Sequence, residues 1–194
     1  LYYFDIAGRA EMIRLTFKVG DVPFEDVRIS NEKWGSEEKA KAPTGKVPYL
    51  ILENGSILSE SGAVLLYAAE RAGLIPNDPV QKGFAQQAVE LMSSVGLIFD
   101  RFFAPKVDVP DICAALKARC EVIDKILAKT LSPEGYVAGN KLTYADICIF
   151  AWMKKSLPFM NAQVTEEILS SSPALRRVCE VVEKHPKIQA YYSS

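Results

Sequence analysis

The stretch "KVPYLILENGSILSESGAVLLYAAERAG", residues 46–73, constrains the fold more than any other part of the chain. Asn54-Gly55 stands between two apolar runs, and Asn-Gly accommodates the positive φ angles that a two-residue hairpin turn demands. Residues 46–52 and 56–59 therefore read as paired strands, and residues 60–73 as a strong helix closed by Gly73. Pro48 is the irregularity, because a proline in a central strand removes a ladder hydrogen bond. Two readings are open. Either the Val47–Pro48 bond is cis and Val47 turns its N–H and C=O outward, where an extended peptide-like ligand could pair with them, or Pro48 lies at an ordinary strand edge.

The region before it supplies the rest of a sheet. "LYYFDIAGRAE" reads as a strand over 1–5, a small-residue loop and the start of a helix. Met12, Ile13, Leu15, Thr16 and Val19 keep helical spacing over 9–20, closed by Gly20. Residues 23–29 alternate imperfectly, as a second strand, and 31–42 form a polar weak helix or a long loop. The order is βαβ, a helical or irregular stretch, then ββα. A right-handed βαβ crossover gives a parallel pair and the hairpin adds antiparallel strands. The result is a mixed four-stranded, thioredoxin-like α/β domain over 1–73. Two phenols, Tyr2 and Tyr3, sit at the end of its first strand, where Val or Phe would serve a core as well. A phenol beside a loop that can open a pocket is a candidate proton donor.

"LIPNDPV", residues 74–80, carries two prolines and reads as a linker. Beyond it nothing alternates. Apolar residues recur at three- and four-residue steps over 80–103 and 111–130, with further helices at 143–157, 165–171 and 174–185 and a last turn at 186–192. Residues 81–194 thus form an all-helical domain. Thr143 and Asp146 have capping-box spacing, and Leu142 and Ile147 are placed to staple the same turn. At "SES", Ser59 or Ser61 could cap the helix over 60–73, or its first N–H groups could meet a carboxylate ligand.

The composition excludes several functions. With 49% hydrophobic residues among 194, a sizeable core is expected. A net charge of −1 offers no basic excess for nucleic acid or an anionic membrane. No apolar run approaches the ~20 residues of a membrane helix. No signal peptide is visible, although residue 1 is not Met. Cys113, Cys120, Cys148 and Cys179 form no Cys-x-x-Cys pair, and His185 is the only histidine, which speaks against zinc and for reduced, buried thiols in a cytosolic protein.

"YFDIAGRAE" (3–11), Trp34, "GKVPYL" (45–50), "SES" (59–61) and "GNKLTYAD" (139–146) follow one another in this order. On them the chain resembles, over nearly its whole length, the cytosolic glutathione transferases. Within these it is similar to the tyrosine-type sigma class, which includes glutathione-dependent prostaglandin D synthase. The resemblance implies a cis bond before Pro48, glutathione as co-substrate and no metal. It makes Tyr3 the catalytic phenol, with Tyr2 and Phe4 packing on the opposite face, and puts Arg9 near the thiol. Trp34, Lys46, Val47 and Pro48 match glutathione contacts, and Ser61 matches the ligand of the γ-glutamyl carboxylate. Glu60 stands where glutamine is common and would meet the γ-glutamyl ammonium. Lys39 matches the partner of the glycyl carboxylate, with Lys41 a rival because the segment between Trp34 and Pro43 needs one extra residue.

An apolar second substrate would meet Phe4, Gly8, Gly96, Arg101, Cys148 and Trp152. Cys148 and Trp152 lie one helical turn apart, and ordinary core packing is the alternative for all six. Two departures from the family stand out. Ser93 and Ser94 occupy the place of an acidic residue lent by a partner subunit, and Arg101 that of a tryptophan in the prostaglandin synthase substrate wall. Thr44 replaces an aromatic interface residue, so the homodimer that the resemblance implies would have a flatter, more polar interface. The implied activity is conjugation of the glutathione thiolate to hydrophobic electrophiles. The alternatives are a glutathione-dependent isomerase or peroxidase, and a non-catalytic carrier like the lens S-crystallins.

Overall fold

A computed structural model describes residues 1–193. Its sheet has the strand order β2-β1-β3-β4, with β1 at Tyr2–Phe4, β2 at Val27–Ile29, β3 at Tyr49–Ile51 and β4 at Ile57–Ser59. β1 runs parallel to β2 and antiparallel to β3, and β3 pairs antiparallel with β4. This is the mixed four-stranded sheet expected. The strands are shorter than the apolar runs. β1 offers three residues for pairing, so only Val27–Ile29 of the 23–29 run joins it. Phe24 packs instead against Phe17, with ring centroids 4.9 Å apart.

The hairpin forms through a wider turn than Asn-Gly suggested. Gly55 N–H donates to Leu52 O at 2.9 Å, Leu52 N–H donates to Ser56 O at 2.8 Å, and Gly55 takes φ 81°. Asn54 keeps a negative φ because its side chain accepts from the Ser56 N–H at 3.0 Å, so one left-handed glycine suffices.

Helix α1, Gly8–Val19, is buried on almost every side, which marks it as core rather than amphipathic surface. It packs on α4 (Ser61–Arg71), α7 (Tyr144–Phe150) and α10 (Pro186–Ser193). The polar stretch after β2 is helical: α2 at Asn31–Lys33, a π-helical turn at Trp34–Glu38 and α3 at Lys39–Lys41. Pro79, in the expected linker, is the first residue of α5 (Pro79–Asp100), whose N-cap Asp78 accepts from the N–H groups of Val80 and Gln81. Proline is tolerated there because that N–H has no helical acceptor. α6 spans Val109–Leu127 and is capped in the same way by Asp108.

The Thr143–Asp146 capping box is present. Asp146 is buried and accepts from Val137 N–H, Thr143 N–H and Thr143 Oγ1 at 2.7–2.8 Å. From α7 the chain runs through a π-helical segment, Ala151–Ser156, into α8, Leu157–Ser171. The helix expected at 165–171 therefore begins earlier, and the break in its pattern is a kink at Asn161, φ −158° and ψ 98°. α9 spans Pro173–Glu183. All four cysteines are free and buried, and no helix among the described residues is long and apolar enough to cross a membrane.

Candidate active site

Alternation along β1 turns Tyr3 under α1, where it is 6% exposed. Its phenolic oxygen accepts from the Arg9 backbone N–H at 3.1 Å, one of the free donors at the start of α1. Among the described residues the hydroxyl proton has no acceptor. Burial pushes the Tyr3 pKa above its usual 10, against the Arg9 hydrogen bond and charge, so the phenol stays neutral. Gly8 makes the approach possible. It adopts φ 45°, and a Cβ there would stand 2.5 Å from the Tyr3 oxygen. Tyr2, on the opposite face, is half-buried and stacks on the buried Tyr49 at 4.7 Å.

The Arg9 side chain reaches back into the helical part. Its guanidinium lies 5.8 Å from the Trp152 ring centroid and pairs with Asp100 at 2.8 Å. Gly96 leaves it room, since a Cβ there would lie 2.9 Å from both Arg9 Nη1 and Trp152 Cζ2. Phe99 meets the Trp152 ring edge-on at 5.4 Å, and Phe103 extends the stack at 5.5 Å. Gly8 and the Arg9 backbone thus meet the Tyr3 phenol, while Gly96 and Trp152 meet the Arg9 side chain.

On the other side, Phe4 packs edge-on against Trp34 at 5.6 Å. Lys46 is exposed, Val47 half-buried and Pro48 buried, and the Val47–Pro48 bond is cis. Lys41 pairs with Glu38 at 2.8 Å, whereas exposed Lys39 makes no ion pair among the described residues. Neither serine of "SES" caps α4. The N-cap residue is Glu60, at φ 68° and ψ 121°, a conformation L side chains rarely adopt, and its side chain makes no capping bond. Ser61 is the first helical residue, and the buried Ser59 hydroxyl has no partner. The first N–H groups of α4 are therefore open to an anion.

Other expected site residues lie elsewhere. Arg101 pairs with Asp111 across the gap between α5 and α6. Cys148 is fully buried with its Sγ 3.5 Å from Met12 Sδ. It and Trp152 both face α1, Cys148 against Met12 and Trp152 against Arg9 one turn earlier, but Cys148 lies deep in the core there. Ser94 accepts from Arg119 Nε at 2.5 Å. Asp100, Phe99 and Ser156, whose hydroxyl donates to Gly8 O at 3.1 Å, were not foreseen. Neither Asp100, an exposed residue at the end of α5, nor Ser156 carried a sequence signal.

A four-stranded mixed sheet with a cis-proline bond ahead of its hairpin, joined to an all-helical second part, defines the two-domain class of thioredoxin-fold proteins. The sequence matches the family description "Glutathione S-transferase, N-terminal domain" over residues 1–70 and "Glutathione S-transferase, C-terminal domain" over 113–194. Glutathione S-transferase 4 of Caenorhabditis elegans is 32% identical over 160 residues, 77% of this chain and 75% of that protein. Hematopoietic prostaglandin D synthase of Gallus gallus is 28% identical over 193 residues, 98% of this chain and 93% of that one. The crystal structure of a monomeric glutathione S-transferase from the hookworm Necator americanus superposes with a TM-score of 0.84 at 24% identity, covering 99% of this chain and 94% of that one. The chain belongs to the glutathione S-transferase family.

Proposed function

We propose that the protein conjugates the glutathione thiolate to hydrophobic electrophiles, with residues 1–73 holding glutathione, 74–80 as linker and 81–194 carrying the electrophile site. The observation that carries this reading is the buried Tyr3 hydroxyl, whose oxygen is held by Arg9 N–H while its proton is free to donate. A free thiol has pKa about 8.5, so only a few per cent is thiolate at neutral pH. Lowering that by about two units takes about 2.7 kcal/mol. A charge-assisted hydrogen bond from Tyr3, helped by the Arg9 charge, is of that order. Tyr3 acts as a donor, not a base, because its pKa lies above 10.

The tripeptide would lie along β3 with its backbone paired to Val47 beside Pro48, its γ-glutamyl carboxylate on Ser61 at the α4 N-terminus and its ammonium near Glu60. Trp34 and Lys46 would cover it, and Lys39, the unpaired lysine, would take the glycyl carboxylate. Phe4, Gly8, Gly96 and Trp152, with Phe99 and Phe103, would wall the electrophile. Arg101 and Cys148 are better placed as an ion pair and as core. We further infer a cytoplasmic, detoxifying enzyme of sigma-class type acting as a homodimer. The likeness to prostaglandin D synthase supports an isomerase as second reading, using the same thiolate. The test is turnover of a chromogenic aryl halide with glutathione by wild type and Tyr3→Phe. Equal rates, or none in either, would sink the proposal.

A further inference from the structure

The turn that follows Tyr3 is held at the carbonyls of Phe4, Ile6, Ala7 and Gly8. Arg14, 0% exposed, donates from Nη2 to Phe4 O at 3.3 Å and from Nη1 to Ile6 O at 2.8 Å and Ala7 O at 3.4 Å. Ser156 takes Gly8 O. The Arg14 guanidinium also lies 5.7 Å from the Tyr3 ring centroid. A buried cation needs balancing charge. Asp26 supplies part of it through both oxygens at 3.1 Å. Glu11, 5% exposed, supplies the rest at 3.3 Å through Oε2.

The remaining Glu11 oxygen, Oε1, accepts from the Tyr192 hydroxyl of α10 at 2.6 Å. Tyr192 is itself fixed from above by the Lys155 ammonium, 3.4 Å from its ring centroid, on the same π-helical segment as Ser156. A continuous chain of contacts thus runs from α10 to the Tyr3 turn. Removing the Tyr192 hydroxyl would leave this carboxylate oxygen short of a donor, and an unpaired buried acceptor costs more than the net worth of the bond it has lost. Glu11 would then compete for the Arg14 N–H groups that hold the carbonyls. Burial and the Glu11 carboxylate push the Tyr192 pKa far up, so the hydroxyl remains a donor throughout the working range.

We propose that Tyr192 is a positioning residue for Tyr3, acting through Glu11 and Arg14 on the turn between β1 and α1. Its catalytic consequence rests on the function proposed above, but its structural content does not. Tyr192→Phe keeps the ring and its packing on Lys155 and removes only the donor. Amide hydrogen exchange in the full chain is expected to speed up about fivefold over residues 4–9, the size one ordinary buried hydrogen bond implies, with α4 and α6 unchanged. In aryl-halide conjugation the same variant is expected to lower kcat about fivefold with KM for glutathione within about twofold, and to have no further effect in a Tyr3→Phe background. Unchanged exchange over 4–9, uniform loosening of the whole chain, or an equal kinetic loss with and without Tyr3 would overturn it. A wild-type chain without conjugation activity would defeat the functional proposal and leave the exchange measurement to decide this one.

Discussion

The Arg9 backbone N–H donates to the Tyr3 phenolic oxygen at 3.1 Å, so a helix N-terminus holds the oxygen and the hydroxyl proton is left unused by the protein. This polarises the O–H bond toward any acceptor placed beside it, because the helix end stabilises charge on the oxygen. It also fixes the order of events. The phenol is set before a ligand arrives, so no side-chain ordering remains to oppose the bond.

Tyr3→Phe removes the free proton and also the oxygen that accepts from the Arg9 N–H. It is expected to lower kcat/KM for conjugation about a hundredfold, the usual loss for one donor to a developing or resident anion, with a stability loss of about 1 kcal/mol from the stranded N–H. Steady-state kinetics beside a melting curve checks both halves.

Gly8→Ala tests the approach of the turn. The new Cβ would sit 2.5 Å from the Tyr3 oxygen at a residue with φ 45°. A stability loss of about 1–3 kcal/mol is expected in urea titration, together with displacement of the phenol and a fall in kcat.

Because burial raises the Tyr3 pKa above 10, the conjugation rate should climb with pH as the thiol ionises and then stay level to pH about 10. A descending limb below that pH, absent from Tyr3→Phe, would show that the phenol ionises earlier. Ultraviolet difference titration of the two proteins reports the same group directly.

Burial pushes Asp146 up to about 6 from 3.8, against the hydrogen bonds from Val137, Thr143 and its own backbone that favour its ionised form. Between those values the folded chain binds more protons than the unfolded one. This group's contribution is therefore complete below about pH 4 and declines as pH rises to about 6. Urea midpoints across that window should show the decline in wild type and lose it in Asp146→Asn. Asp146→Ala, which strands the Val137 and Thr143 donors, is expected to cost about 3 kcal/mol at neutral pH.

Lys39→Ala should weaken glutathione binding about two- to fivefold, as loss of one exposed ion pair would. Lys41→Ala should do less, since Lys41 is engaged with Glu38. Quenching of Trp34 fluorescence by glutathione gives both constants.

Much of this was legible along the chain, and for physical reasons. Period-two and period-3.6 patterns report which side of an element is buried, so the four strands, the change to an all-helical second half and the capping box at Thr143 were visible. Local rules also erred where a local alternative competed. The Asn54 side chain removed the need for a two-residue turn, and Pro79 served as a helix start. At "SES" both serines were good caps, yet Glu60 took the position.

The candidate site divides in the same way. Tyr3, Arg9, Pro48 and Ser61 each belong to one short segment with its own strand, turn or helix end, and such segments carry their chemistry in their spacing. The partnerships do not. Arg9 meets Asp100 ninety-one positions away, and Tyr192 meets Glu11 at a separation of 181. No periodicity encodes those pairs, because they exist only once α5 and α10 have packed on α1. Burial then decides which charges must be balanced, and by whom.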